Sequence, residues 1–175
     1  ATINFFTASF GQGITATPIQ MVTAYAALAN GGRLLKPAIV DKVIHADGSE
    51  TLTEPIEVRR VVSEETSRLM GEMLRSVVVN GHGKRADVPG YLVGGKTGTA
   101  QVAKTGEKGY EEGVTIGSFV GYAPLTDPQF VVIVKLDNPK NVEWAESSAA
   151  PTFGDIMKFL LEYAKIKPTE ETTKK

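Results

Sequence analysis

The chain has 175 residues, of which 42% are hydrophobic, and its formal net charge is −1. This length fits one domain or a large part of one, and the apolar content suffices for a core. The near-neutral charge gives no reason to expect a nucleic-acid partner. The chain has no cysteine and only two isolated histidines, His45 and His82, so we expect no metal site. We also expect no cofactor.

The N-terminal part of the chain predicts a loop followed by one apolar helix. Residues 4–16 are apolar but interrupted by glycine, and we expect a loop there. Thr17 is typical of a helix N-cap, with Pro18 at the first helical position and Gln20 completing a capping box. The helix that follows is apolar on nearly every face and ends at a glycine pair, which predicts a buried helix.

The next part predicts a hairpin and a second helix. Residues 38–45 and 58–62 have the pattern of extended segments that flank a turn at Asp47-Gly48. Ser63 is expected to cap a helix with one apolar stripe, which predicts core packing or, alternatively, a groove for a partner. The stripe consists of Leu69, Met70, Met73, Leu74, Val77 and Val78.

Three further strands are expected in the second half of the chain. They cover residues 91–102, 114–122 and 130–137, and a polar loop at 103–113 joins the first two. Short connections between neighbouring strands predict an antiparallel meander. Helices combined with antiparallel strands place the chain in the α+β class.

The C-terminal end predicts an amphipathic helix and a tail. The helix begins at Pro151, and the tail after Lys167 is polar and charged. The apolar face of the helix consists of Phe153, Ile156, Met157, Leu160, Leu161 and Ala164. We therefore expect one folded domain over residues 1–167 and a disordered tail over 168–175.

The segment around Lys96 is the most informative in the chain. Read from Gly90, it fits G-x-x-x-x-G-K-[ST], the phosphate loop of nucleotide-binding proteins. Read from Lys96, the sequence K-T-G-T is a signature of serine acyl-transferases. A phosphate loop needs a strand before it and a helix after it, whereas turn residues precede Gly90 and Gly98 follows Lys96. The residues favour a strand, which leaves nucleotide binding as a remote alternative.

Four segments in order resemble class B penicillin-binding proteins, the monofunctional transpeptidases. V-P-G-Y-L-V-G-G-K-T-G-T-A-Q-V resembles the third motif of that family, and S-F-G-Q-G-I-T-A-T-P-I-Q-M-V-T-A-Y-A-A-L-A-N-G-G resembles the loop and helix before it. S-F-V-G-Y-A-P and F-V-V-I-V-K-L-D-N-P-K resemble its next two strands, and the helix from Pro151 resembles its terminal helix. The resemblance implies the penicillin-binding/β-lactamase-like transpeptidase fold, with the lysine strand at one edge of a five-stranded antiparallel sheet.

Two further motifs of that family are absent from this sequence. No serine here begins S-x-x-K, which holds the nucleophile, and none begins S-x-N. Both motifs precede K-T-G in the family, so the chain resembles the C-terminal half of a transpeptidase domain. Two hypotheses remain: part of a serine D,D-transpeptidase that needs its N-terminal half, or a binding or structural module that kept the fold without the chemistry.

The resemblance also implies roles for individual residues. Lys96 is expected to face the terminal carboxylate of the substrate. Thr97 and Thr99 lie on one face of the strand, and their hydroxyls are expected to donate hydrogen bonds to the same carboxylate. The backbone N–H of Thr99 is expected to supply one donor of the oxyanion hole. Gly98 permits close approach of another backbone, and Gln101 is expected to contact the substrate. Trp144 either roofs the cleft or packs over the last helix, and His82 is interpreted as a loop residue rather than a catalytic base.

The resemblance finally implies partners and a location. The expected partners are a peptidoglycan stem peptide ending in D-Ala-D-Ala, β-lactam antibiotics, and the N-terminal half of the protein or a second copy. The sequence has no apolar run long enough to span a bilayer, and it begins at Ala1 without a methionine or a signal pattern. We expect an excised or processed piece of a protein at the outer face of the cytoplasmic membrane, held by an anchor absent from this chain.

Overall fold

The computed structural model describes residues 2–9 and 11–169. The helices are α1 (Thr2–Ala8), α2 (Pro18–Ala29), α3 (Glu64–Asn80) and α4 (Ala149–Tyr163), with short 3-10 helices at Lys84–Ala86 and Ala145–Ser147. The strands are β1 (Arg33–Leu35), β2 (Lys42–Ile44), β3 (Glu50–Leu52), β4 (Glu57–Arg60), β5 (Gly94–Ala103), β6 (Tyr110–Ala123) and β7 (Phe130–Asp137). This combination confirms the α+β class. Within the described ranges, no helix is both long and apolar enough to cross a membrane.

A three-stranded antiparallel sheet in the order β5-β6-β7 forms the centre of the fold. Its order confirms the predicted meander, and β5, the lysine strand, lies at one edge. The predicted loop at 103–113 is shorter in the structure, since the outer ends of β5 and β6 continue pairing as far as Ala103 and Tyr110. The sequence did not predict these strand ends, because glycine and polar residues in that segment leave no alternating apolar pattern.

Helices cover both faces of this sheet. On one face, Phe153 of α4 packs on Phe119 of β6, with ring centroids 4.6 Å apart, and both side chains are fully buried. Helices α2 and α3 contact the other face. Gly121 on β6 packs tightly against β5, because a Cβ there would overlap the carbonyl oxygen of Gly94. The main core therefore lies between the sheet and α4. It includes Met157 and Leu161 of α4, Val78 of α3, and Val93 just before β5.

The helix caps were predicted correctly, but the burial of α2 was not. The side chain of Thr17 accepts a hydrogen bond from the N–H of Gln20, which completes the capping box, and Ser63 caps α3 through Thr66. Helix α2 is mostly half-buried: Ala27 is its one buried residue, and Ile19 is 55% exposed. An all-round apolar helix needs neighbours on every side, whereas the other elements of this chain cover only part of it.

The stripe of α3 is also divided between core and surface. Leu74 and Val78 are buried in the core, as predicted, but Met73 is 61% exposed and Leu69 is 39% exposed. The buried line of α3 runs instead through Ser67, Gly71, Leu74 and Val78. Ser67 donates to the carbonyl of Leu28 on α2, and Gly71 lies against Tyr122 of β6, so these two small residues let α2 and the sheet approach α3 closely and rotate its buried face.

Two expectations for the first 62 residues were wrong. Residues 2–8 form helix α1 rather than a loop, because the first glycine comes only at position 11. The turn at Asp47-Gly48 joins β2 to β3, not to the 58–62 segment, while β4 pairs with β1. Strand β3 has no alternating apolar pattern, so its pairing depends on the tight turn rather than on burial.

The C-terminal end contacts the segment that leads into β5. The hydroxyl of Tyr91 donates to the carbonyl of Ile166 at 2.9 Å, and the N–H of Thr169 donates to the carbonyl of Gly90 at 2.7 Å. Helix α4 begins at Ala149, two residues before the predicted start. Ordered contacts thus extend two residues into the predicted tail, and its remaining residues, 170–175, lie outside the described part of the chain.

Candidate active site

Strand β5 places its side chains around an open sheet edge. The register pairs Lys96 with Val120 and Thr97 with Phe119, so the two side chains leave the strand on opposite faces. Since β5 has no neighbour on its outer side within the described sheet, the Lys96 side chain can turn around that edge. Its Nζ donates to the carbonyl oxygen of Thr97 at 2.9 Å and to the Thr97 hydroxyl at 3.1 Å. The ammonium group therefore lies beside the Thr97 hydroxyl.

Thr99 lies on the same face of β5 as Thr97, as the sequence predicted. Its partner in the register is Gly117, two residues before Phe119 on β6. The hydroxyl oxygen of Thr99 accepts a hydrogen bond from the N–H of Ala145 at 3.3 Å. This bond uses the hydroxyl as an acceptor, which leaves its hydrogen for a second partner. Thr99 therefore attaches the 3-10 helix that begins at Ala145 to the lysine strand.

Gly98 is a position of close approach. A Cβ there would lie 2.7 Å from the hydroxyl of Ser118 on β6, which is shorter than any normal contact. That hydroxyl donates to the carbonyl oxygen of Gly98 at 3.2 Å. The glycine thus serves internal packing between β5 and β6, beside any role in admitting a substrate backbone.

Lys96, Thr97 and Thr99 line one cleft of about 380 Å³. The rest of its lining consists of His82, Trp144, Ala145 and Glu146. The Trp144 side chain is 58% exposed, so of the two predicted positions the structure supports the one at the cleft. The cleft joins one fixed ammonium group, two hydroxyls and an aromatic surface, which is suited to a ligand with a carboxylate and an apolar part.

His82 and Glu146 both line the cleft and contact each other there. His82 follows α3, and Glu146 lies in the 3-10 helix before α4, 64 positions further along the chain. Nδ1 of His82 and Oε2 of Glu146 are 2.5 Å apart. The interpretation of His82 as a simple loop residue omitted this contact, since no local pattern relates two residues so distant in sequence.

The predicted site residues fall into two groups. Lys96, Thr97 and Thr99 meet in the cleft, with Gly98 between them on the strand. Gln101 is exposed on β5, opposite Thr115 in the register, and lies outside the cleft lining. Its role as a substrate ligand stays a prediction.

Two tyrosines on the opposite side of the sheet from α4 have shifted pKa values. Burial raises the pKa of Tyr25 on α2. Burial also raises the pKa of Tyr122 on β6, and the neighbouring Tyr25 phenolate adds to that increase. Both phenols therefore stay protonated at a higher pH than an exposed tyrosine, which bears on stability rather than on the cleft.

An antiparallel sheet between helical layers, with K-T-G-T on its edge strand, is the arrangement expected of the serine acyl-transferase class. Comparison with known proteins agrees with that class. The sequence matches the penicillin-binding protein transpeptidase domain over residues 1–158. The chain belongs to this family, as the sequence resemblance indicated.

Individual relatives agree with the family assignment. The chain is 44% identical to stage V sporulation protein D of Bacillus subtilis, over 97% of this chain and 26% of that protein. It is 38% identical to penicillin-binding protein PbpB of Mycolicibacterium smegmatis, over 91% of this chain and 26% of that protein. The chain thus spans about a quarter of the length of these curated relatives.

Solved structures show the same fold. The crystal structure of penicillin-binding protein 3 from Mycobacterium tuberculosis complexed with ampicillin superposes with a TM-score of 0.83 at 34% identity, over 94% of this chain and 38% of that one. The transpeptidase domain of penicillin-binding protein 3 from Burkholderia pseudomallei gives 0.78 at 32% identity, over 97% of this chain and 49% of that one.

Proposed function

We propose that this chain is part of a serine D,D-transpeptidase that cross-links peptidoglycan stem peptides and is acylated by β-lactams. The observation that carries the proposal is the convergence of Lys96, Thr97 and Thr99 on one cleft at an open strand edge. Relatives named peptidoglycan D,D-transpeptidase and a relative bound to ampicillin support it. The nucleotide alternative lacks its structural context, because Lys96 and Thr97 lie within a strand rather than at a helix N-terminus.

In the proposed reaction this chain supplies the binding wall. Lys96 and the hydroxyls of Thr97 and Thr99 hold the terminal carboxylate of a stem peptide ending in D-Ala-D-Ala, or the carboxylate of a β-lactam. The peptide lies along the open edge of β5, where main-chain groups of an edge strand are available for pairing. The N–H of Thr99 donates to the oxyanion that forms as the carbonyl is attacked.

The nucleophile comes from a segment that carries S-x-x-K, which this sequence lacks. Its serine attacks the carbonyl between the two D-alanines, the C–N bond breaks, and the terminal D-alanine leaves with the serine proton. The amine of a second stem peptide then attacks the ester and restores the serine. We place this reaction at the outer face of the cytoplasmic membrane, through an anchor outside this chain.

The test compares three proteins with a fluorescent penicillin. They are the complete transpeptidase domain, meaning the S-x-x-K segment together with this chain, its Lys96→Ala variant, and this chain alone. We expect one covalent adduct per complete domain by intact mass, and about 10²-fold slower acylation in Lys96→Ala, because a charge-assisted contact to the ligand is lost. Lys158→Ala on the exposed side of α4 is the matched control and should react normally.

Each result of this test has a separate meaning. The isolated chain should form no adduct. An adduct on any of its serines would show that the nucleophile lies in this chain and not in a separate S-x-x-K segment. A complete domain that folds but is not acylated would instead favour the non-catalytic module of the same fold.

We also propose that β7 pairs with strands of the N-terminal half or of a second copy. Strand β7 is the other edge of the described sheet and carries F-V-V-I-V, an apolar sequence typical of a covered strand. The half-buried α2 has apolar surface on the same molecule for such a partner to cover. Sedimentation and hydrogen exchange of the purified chain test this: a stable monomer at low micromolar concentration with strongly protected amides over 130–137 would contradict it.

A further inference from the structure

The cleft around Lys96 contains an acidic group that opposes the ligand assigned to it. Glu146 lines the same cleft as Lys96, Thr97 and Thr99, and its side chain is 43% exposed. A carboxylate at this place repels the carboxylate of a ligand and offsets the positive charge of Lys96. A wall that binds anions therefore needs a reason to carry this residue.

The imidazole of His82 accounts for the presence of that carboxylate. Nδ1 of His82 lies 2.5 Å from Oε2 of Glu146, a distance at which the ring N–H donates to the carboxylate. This contact occupies Oε2 of Glu146, so that this oxygen is held at the ring instead of beside a ligand carboxylate. The other charged groups around the pair are Lys84 and Arg85, which line a neighbouring pocket of about 210 Å³ together with His82 and Glu146.

The pair also fixes the position of one wall. Glu146 belongs to the 3-10 helix Ala145–Ser147, whose first N–H is held by the Thr99 hydroxyl at 3.3 Å. The segment is thus attached at two points, to β5 through Thr99 and to the loop after α3 through His82. Trp144, directly before this helix, forms the aromatic part of the cleft.

We propose that His82 is a positioning residue that holds the Glu146 carboxylate through this hydrogen bond and thereby limits its repulsion of anionic ligands in the cleft. The proposal rests on the assignment of the cleft to carboxylate binding in a transpeptidase. It predicts a defined order among variants: removal of His82 frees the Glu146 carboxylate to repel an anionic ligand, whereas removal of the Glu146 charge as well abolishes that repulsion.

The experiment measures the second-order rate of acylation of the complete transpeptidase domain by benzylpenicillin and by its uncharged methyl ester. For benzylpenicillin, we expect His82→Ala to lower the rate about fivefold, which corresponds to ~1 kcal/mol, the upper end for exposed charge pairs. Glu146→Gln should raise the rate, and His82→Ala/Glu146→Gln should recover the loss of the single variant. The His82→Ala effect should shrink as salt is raised, and the ester should respond to none of these changes.

Several outcomes would overturn the proposal. A double variant as slow as His82→Ala would show that His82 acts independently of the Glu146 charge. An equal effect on the ester would assign the loss to cleft geometry alone. Glu146→Gln needs no change of shape, so an unchanged benzylpenicillin rate in that variant also contradicts the idea, even if His82→Ala folds poorly. An unreactive parent domain would refute the transpeptidase function instead, and the two failures are therefore distinguishable.

Discussion

Replacing Phe153 with alanine will remove the side chain that joins α4 to the central sheet. The ring is fully buried and packs against Phe119 at a centroid separation of 4.6 Å and an interplanar angle of 51°. Truncation of a buried phenylalanine costs about 3–5 kcal/mol, of which the aromatic pair accounts for about 0.5–1.5. The ring also lies over Gly121, which has no side chain to move into the space. We therefore expect a loss in the upper half of that range, about 4–5 kcal/mol.

This loss is a large part of the stability of an ordinary domain, about 5–15 kcal/mol. Urea unfolding of the complete transpeptidase domain provides the measurement. With a slope of about 2 kcal/mol per M, the midpoint should fall by about 2 M. Phe159→Ala is the matched control on the same helix, because that ring is 63% exposed, and its midpoint should barely change. A Phe153→Ala midpoint within about 0.5 M of that control would refute the packing argument.

Three further predictions concern the sheet, the tyrosines and the lysine. Gly121→Ala should separate β5 from β6, because its Cβ overlaps the Gly94 carbonyl oxygen, and should reduce both stability and penicillin labelling; unchanged values would show that the strands can move apart freely. Tyr25 and Tyr122 have raised pKa values in the folded protein. Their contribution to the free energy of unfolding is therefore complete below about pH 10, the ordinary pKa of tyrosine, and is lost as the pH rises through their pKa values in the folded state. The Tyr25→Phe/Tyr122→Phe variant should therefore lose less stability than wild type in urea melts between pH 9 and 11.5; equal losses would count against this. Calorimetry should detect no magnesium-dependent ATP binding, and micromolar binding that disappears in Lys96→Ala would reverse the interpretation of the motif.

Local chemistry determined which elements were predictable from the sequence. The cap of α2 at Thr17 and the strand over 130–137 appear where their residues indicate, because a capping box and a run of β-branched residues act within a few positions. The prediction of the strand that pairs with β2 was wrong for the opposite reason. All its strand residues are exposed, so burial left no alternation from which to choose the partner of β2.

The site shows the same division. The meeting of Lys96, Thr97 and Thr99 in one cleft could be predicted because the three are close together on one strand, whereas their roles stay predictions. The contacts that complete the cleft join distant segments: Thr99 to Ala145, and His82 to Glu146. Such pairs leave no periodic or local signature, so a single sequence does not indicate them. The apolar pattern of α2 raises a related problem. It predicts a buried helix, whereas the other elements of this chain cover only part of its surface.

The bonds from Ile166 and Thr169 to Tyr91 and Gly90 make the cleft vulnerable to cleavage far from the ligand. Lys165 is exposed directly before Ile166, which makes the bond between them accessible to trypsin. A cut after Lys165 would release the residues that fix the start of β5, although every group lining the cleft would remain in the chain. Preparations that differ only by such a C-terminal nick would then differ in how firmly Lys96 is positioned, and mass measurement of the C-terminus belongs with any comparison of their activity.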